Sequence, residues 1–481
     1  MKKIFFILFS AATAVTCSAM AVESTPGGLS ALVGENTQET SLTVTGSIDA
    51  SDLDFIASEM TKLESLDISG ASIVAYEGKA LRNGNYSSPA NVLQSYSLFG
   101  ITAKSIALPA SLTEIGELAL ASANVESVTI PGSAVIGMRA FMDCTSLRTV
   151  DLGSATAISD GAFSGCTALE TVIGSANLVN IGNSAFKGCT SLVNFTFGNN
   201  LEKIGEYSFA ASGIASADLS ACNKLTELSA GVFAECGSLA TLKLPENLTT
   251  VGKSAVFADG ALTSVNLPNS LQVIDDYGFY GLSKLAYEYT KEYEETPGVN
   301  TSLVSVGRYG LAGCSQIGQF VLPGTVEYLG DYAMANWTSL GDLFVREINE
   351  VPVLGENVWS GVNQPEVWLY VTSSNKAAFE AENQWKEFRF TESTTGSDNV
   401  ISDGVKEAKI AVWFDADEIN VLADNEILNV EVYDTTGLQL ASECVNADKA
   451  RISTSQWQAK LYIVRVTMAD GTVTAVKLVR R

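Results

Sequence analysis

The chain has 481 residues, 46% hydrophobic and 17% charged, enough for two or more domains with cores of their own. Acids outnumber bases 54 to 29, a net charge of −25, which disfavours nucleic acid and anionic membranes, since both are bound through Lys and Arg. Histidine is absent, and with it the Ser-His-Asp triad, the Cys-His dyad, the His-x-x-x-His zinc helix and any histidine general base.

Lys2-Lys3 precede an apolar run over residues 4–9 and small residues ending in Ala19-Met20-Ala21. That is the order of a secretory signal peptide spanning 1–21, with cleavage expected after Ala21. Cys17 is a poor lipidation site, because Ala14-Val15-Thr16 lacks the Leu and the small residue that such sites prefer. No later stretch reaches 18 uninterrupted apolar residues, so no further span is predicted. The expectation is an exported protein, at the cell surface or extracellular, with the outer membrane as a candidate place of association.

The middle of the chain repeats, and repeats decide the fold. Apolar starts recur at Ile115, Ile136, Ile158, Ile181, Ile204, Leu228, Val251, Ile274, Val306 and Leu329, mostly 21–24 residues apart with one step of 32. Five residues after each stands a large apolar residue, such as Phe141, Phe163, Phe186, Phe209, Phe233 and Phe279. Each unit then enters a short strand, as in Val125-x-x-Val128-x-Ile130-Pro131. One unit cannot bury its own Phe, Leu and Ile, whereas stacked units bury a continuous ladder. This predicts a mainly β fold, a solenoid of about ten 23-residue coils over 105–348. Gly follows the start in seven of the ten units, implying either a positive φ or backbone packed too closely for a Cβ. Gly252-Lys253-Ser254 is that periodic turn. A phosphate loop would need Gly where Asn247 stands.

Ile136-Gly137-x-x-Ala140-Phe141-x-x-Cys144-x-x-Leu147-x-x-Val150 resembles the BspA-like leucine-rich repeat family of bacterial surface proteins. The resemblance covers roughly residues 40–392 and implies a leucine-rich repeat solenoid with adhesive or surface-binding roles.

Solenoid ends need caps. Residues 22–104 read as the N-terminal cap, with one rung at Leu63-x-x-Leu66-x-Ile68, a helix near 52–60 and irregular chain over 69–104. Residues 349–392 read as the C-terminal cap, with Val367-x-Leu369-x-Val371, a helix near 375–382 and Trp385-Lys386-x-Phe388. The stretch 393–404 is a Ser, Thr, Gly and Asp linker. Residues 405–481 alternate as about seven short strands, the pattern of a small antiparallel β-sandwich. Val432-Tyr433-Asp434-Thr435-Thr436-Gly437, Leu461-Tyr462-Ile463-Val464-Arg465-Val466 and the basic end Arg480-Arg481 make it similar to the C-terminal sorting domain of the Por (type IX) secretion system. That resemblance implies contact with outer-membrane secretion machinery. Lys460-Leu461 stand where the pattern usually has Gly.

Cys144, Cys166, Cys189, Cys236 and Cys314 lie eight residues after their starts, and their column mates Ala123, Ser212, Asp259, Leu282 and Trp337 are mostly small or apolar. This predicts buried packing thiols. Side chains of one column point the same way and pair poorly, and a column does not converge on a metal.

Alternation places Ser127 and Thr129, Thr149 and Asp151, Asn194 and Thr196, Ser216 and Asp218, and Thr241 and Lys243 on the outer face. Asp151 and Asp218 are three rungs apart, roughly 14 Å, too far for a glycosidase pair. The insertion before Val306 carries Tyr287, Tyr289, Tyr293 and several Glu, a composition suited to contact. Tyr207, Tyr277, Tyr309 and Tyr332 all fall three residues after a start, as a repeat feature. Asp415-Ala416-Asp417-Glu418 lacks the Gly and distal Glu of a calcium loop. No catalytic, cofactor or metal residue is predicted. The expected function is non-catalytic binding of a host protein or polysaccharide, with Asn194, Thr196, Tyr287, Tyr289 and Tyr293 as candidate contacts. The alternative is a scaffolding component of the envelope.

Overall fold

The structure is a computed structural model that describes residues 19–79, 81, 84, 87–286, 302–345, 348, 350–393, 410–415, 418–434, 439–454, 457, 461–469 and 473–479. The described chain forms two compact units, the first ending at Ser393.

The first unit is a parallel β-solenoid in which most of the described coils carry two strands, where the sequence predicts one. The first is the rung: Ser127–Thr129, Thr149–Asp151 and Thr171–Ile173 pair in register, with Val128, Val150 and Val172 in one column. The second is a two-residue strand ending on the apolar start, as in Glu114–Ile115 against Val135–Ile136. Twelve such short strands are described, two more than the predicted starts. The extra coils begin at Leu93 and Leu354, and five residues later Leu98 and Trp359 are buried like the Phe residues of the other coils.

The core is the predicted ladder. Phe141, Phe163, Phe186, Phe209 and Phe233 are all fully buried. Their rings stack in sequence at 5.2, 5.5, 5.4 and 5.7 Å between centroids. Each burial removes an aromatic ring from water and adds a stacked contact to both neighbours.

The recurring glycines serve close approach. A Cβ on Gly137 would stand 2.6 Å from the Ile115 carbonyl oxygen, and one on Gly116 would stand 2.7 Å from that of Leu93. The positive φ falls two residues later, on Leu118, Arg139, Ser184, Tyr207, Ser254, Tyr277, Tyr309 and Tyr332.

At the N-terminal end Ala19–Ser24, Ser41–Ile48 and Ser65–Ile73 continue the rung sheet in parallel. Cleavage after Ala21 would leave Val22 to Ser24 of the first strand. Helix α1 (Leu29–Val33) and helix α2 (Ala50–Glu59) cover this end. Asp49 caps α2, and the buried Asp52 accepts the backbone N–H groups of Gly27, Leu29 and Asp49 at 2.9–3.0 Å, satisfying donors that a helix start leaves unpaired. At the other end Trp368–Thr372, helix α3 (Ser373–Ala381) and Arg389–Ser393 close the stack. Rings of Trp359, Phe379, Trp385 and Phe388 meet there at 5.0–6.0 Å.

The second unit has five described strands, Ile410–Asp415, Glu418–Asp434, Gln439–Ser453, Leu461–Met468 and Val473–Val479, all paired antiparallel. The predicted strands near Ile419 and Leu428 are one long strand. Its register shifts between Leu422 and Ile427, and on one side its partner changes there from Ile410–Asp415 to Leu461–Met468. Both halves therefore feed one core containing Val412, Val421, Val430, Val432, Val464 and Val466.

Candidate ligand-binding face

Rung alternation puts one apolar residue inward and its two neighbours outward. Ser127, Thr129, Thr171, Ser216, Asp218, Thr241 and Lys243 are exposed along one face of the solenoid, and Thr149 and Asp151 are half-exposed. The carboxylates of this face are tied to their own chain. Asp218 accepts from the Ser220 hydroxyl and from Lys243 Nζ at 2.9 Å, and these bonds hold its carboxyl down at about 2. Asp151 accepts the Gly153 N–H at 2.9 Å. One position earlier on the rungs, charges alternate along the stack as Glu64, Lys104, Glu126, Arg148 and Glu170, with Lys104–Glu64 at 3.5 Å and Arg148–Glu170 at 2.9 Å. Such exposed pairs each contribute little to stability.

Asn194 and Thr196 are exposed, as the alternation predicts, but they do not lie on a strand. The rung sheet stops at Thr171–Ile173 and resumes at Ser216–Asp218. Phe195 stands where other rungs have Val128, Val150 or Leu242, and Phe197 where they have Ile130 or Leu219. Phe195 packs edge-on against Phe186 at 5.2 Å and Phe209 at 4.9 Å, and Phe197 against Phe233 at 6.2 Å. Phe320, at the same place on a later coil, lies on the paired strand Gln319–Leu322, so a ring there does not by itself break the ladder. Tyr287, Tyr289 and Tyr293, like Ala416 and Asp417, lie outside the described residues.

The column cysteines are unpaired and buried. Cys144, Cys166, Cys189, Cys236 and Cys314 donate S–H to the carbonyls of Leu120, Phe141, Phe163, Phe209 and Phe279, each the core residue of the preceding coil, at 3.0–3.5 Å. Trp337 does the same from Nε1 to Leu311 at 2.8 Å. Burial pushes the Cys189, Cys236 and Cys314 thiols up to about 12. Cys222, in a different column, donates to Gly198. Among the described residues no three His, Cys, Asp or Glu side chains gather as a metal site, and no helix is long and apolar enough to cross a membrane.

Paired parallel strands in most of the described coils, a stacked aromatic ladder and an open polar face define a leucine-rich repeat protein. A family model described as the BspA type leucine-rich repeat region matches residues 72–178, 156–286 and 288–403, in six copies. The chain belongs to this family. A second model, for a domain of unknown function, matches residues 401–480. No curated protein matches the chain. Among solved structures the chain is similar to a leucine-rich repeat protein from Bacteroides ovatus, at 20% identity over 80% of this chain and 100% of that one, with a TM-score of 0.56. It is also similar to the pneumococcal vaccine antigen PcpA, at 16% identity over 79% and 84% of the two chains, TM-score 0.36. A leucine-rich cell surface protein from Faecalibacterium prausnitzii matches at 18% identity over 68% and 83%, TM-score 0.35. At these identities the likeness is one of fold.

Proposed function

We propose that the protein is exported and displayed at the cell surface, and that its solenoid binds an extended host protein or polysaccharide without catalysis. The observation that carries this reading is the exposed row of Ser, Thr and Asn side chains on the rung face, with Asp218 and Lys243 neutralising each other on it. Such a face offers many modest hydrogen bonds in a line and suits a long polymer better than a small molecule, which needs a concave apolar pocket. Membership of a family of bacterial surface proteins and the signal-peptide pattern at 1–21 support the location. On this reading residues 405–481 serve export and attachment, in contact with the secretion machinery.

A chain ending near Glu392, compared with residues 22–481 on arrays of matrix proteins and glycans, tests the assignment. The truncated chain is expected to keep every ligand of the longer one and to lose surface attachment in cells. Thr196→Arg and Asn194→Arg are expected to weaken binding with no change in melting temperature, since both positions are exposed. Ligands lost with the terminal unit would move the binding function there. No ligand for either chain would favour the envelope-scaffold alternative.

A further inference from the structure

A row of tyrosines runs along a different side of the coils from the rung face. Tyr277, Tyr309 and Tyr332 occupy one position on three consecutive coils, and their rings stack at 5.1 and 4.8 Å. Tyr280 and Phe257 stack beside them at 5.2 Å, and Tyr280 meets Tyr277 edge-on at 5.5 Å. All five are half-exposed. The fold does not demand aromatics here, because other coils place Gly161, Ser184, Gly231 or Ser254 at the position of the tyrosine row. It disfavours them: the backbone of Tyr277, Tyr309 and Tyr332 is left-handed, with φ of 59°, 55° and 56°, a region that bulky side chains rarely occupy. The same positive φ recurs at Leu118, Arg139, Ser184 and Ser254, so what sets these three coils apart is the rings and not the backbone.

Each ring also has a charged neighbour in sequence. Asp276, Arg308, Asp331 and Glu356 form a second row, laced by Arg308 N–H to Asp276 Oδ1 at 2.7 Å and Glu356 N–H to Asp331 Oδ1 at 2.8 Å. Asp275 adds a further exposed carboxylate. The one cation of the row, Arg308, holds its guanidinium 5.4 Å from the Tyr309 ring centroid, and Lys187 sits 5.9 Å from the ring of Tyr207 at the same repeat position. The chain's own cations thus already occupy rings of this column.

We propose that the Tyr277, Tyr309 and Tyr332 row, with Asp276, Asp331 and Glu356 beside it, docks an arginine-rich segment of a partner protein. The rings supply cation–π contact to guanidinium groups, and the carboxylates supply charge-assisted hydrogen bonds to them. The assignment rests on the reading of the solenoid as a binding module, at a surface distinct from the rung face.

The test uses residues 22–481 and a labelled peptide of alternating Arg and Ser, with a Glu-Ser peptide and a neutral soluble glucan as controls. Tyr309→Gly with Tyr332→Gly removes two rings, keeps the net charge and suits the positive φ. Arginine-peptide affinity is expected to fall at least tenfold in this variant, and to stay within twofold for Tyr309→Phe with Tyr332→Phe. Asp331→Asn is expected to weaken binding two- to fivefold and to flatten its salt dependence. Arg308→Gln, which frees the Tyr309 ring, is expected to strengthen it. Arginine-peptide binding unchanged in the glycine variant would mean that attraction comes from the whole acidic chain, and the proposal would fall. Glucan binding lost with the same rings would also overturn it, by making the row a carbohydrate platform. If array ligands bind but the arginine peptide does not, this proposal fails while the solenoid reading stands. If nothing binds, both fail.

Discussion

Asp259 stands one coil beyond Cys236 in the thiol column, fully buried, and neither of its carboxylate oxygens makes a hydrogen bond. Cys236, Cys314 and Trp337 in the same column each donate a proton to a carbonyl of the preceding coil. A neutral carboxylic acid can do the same, but a carboxylate cannot. Burial pushes the Asp259 carboxyl from 3.8 up to about 8, helped by the charge of Glu235.

Between about pH 4 and pH 8 the folded chain holds a proton here that the unfolded chain has lost, so stability falls as pH rises through this window. Below it both states are protonated, and the contribution is fully present. Asp259→Cys, which restores the column's thiol, is expected to gain about 2–4 kcal/mol at pH 7 and little at pH 4. Denaturant melts of both proteins from pH 4 to 8 check this. Parallel stability curves would mean that Asp259 is ionised in the fold.

The thiols give a second expectation. In native residues 22–481, a thiol reagent is expected to modify Cys444 alone, the one exposed cysteine among the seven described. Denaturation without reductant should release the remaining six. Mass spectrometry that finds Cys144 linked to Cys166 would refute the column of donors.

Phe186 touches the rings of Phe163, Phe209 and Phe195, so its removal empties the middle of the stack. Phe186→Ala is expected to cost about 3–5 kcal/mol in urea melts. A cost below about 1 kcal/mol would mean that neighbouring coils collapse into the space.

The period of the starts made the ladder readable, because a residue that must be buried in every coil recurs at one offset, as Phe141 and Phe163 do. The same averaging hid departures from the repeat. Leu93 is followed by Gln94 where most starts have Gly, and Leu354, though followed by Gly355, lies 25 residues after Leu329 and outside the 21–24-residue step, so neither registers as a start. Two-residue strands such as Val135–Ile136 are too short to alternate, and only the pairing in space reveals them. Phe195 and Phe197 read as ordinary inward residues, because alternation reports the direction of a side chain and not whether its strand pairs. The polar face was therefore legible, while the lapse of the sheet behind Asn194 and Thr196 was not. The tyrosine row was visible as a periodicity. Its stacking depends on contacts between coils that sequence spacing alone does not give.

The lapse makes coil deletion a sharper test than in a uniform solenoid. Removing residues 181–203, one period of 23, brings Ile204 to the place of Ile181, which pairs with Ile158. Gly205 then meets Asp160 as Gly182 did, where only Gly fits. Phe209 lands on Phe163 in the stack, and the Glu206 N–H can replace that of Asn183 at Asp160. Phe195 and Phe197 leave with the deleted coil, so Ser216–Asp218 can pair directly with Thr171–Ile173 and join two sheets that the full chain keeps apart. The shortened protein is expected to melt cooperatively, within about 2 kcal/mol of the parent, since solenoid stability is close to a sum of coil and neighbour terms. Removing residues 181–192 alone breaks the period and turns Phe side chains outward, and that chain is expected not to fold. Circular dichroism and urea melts of the two deletions decide the matter. Equal loss of cooperativity in both would show that the coils are not interchangeable.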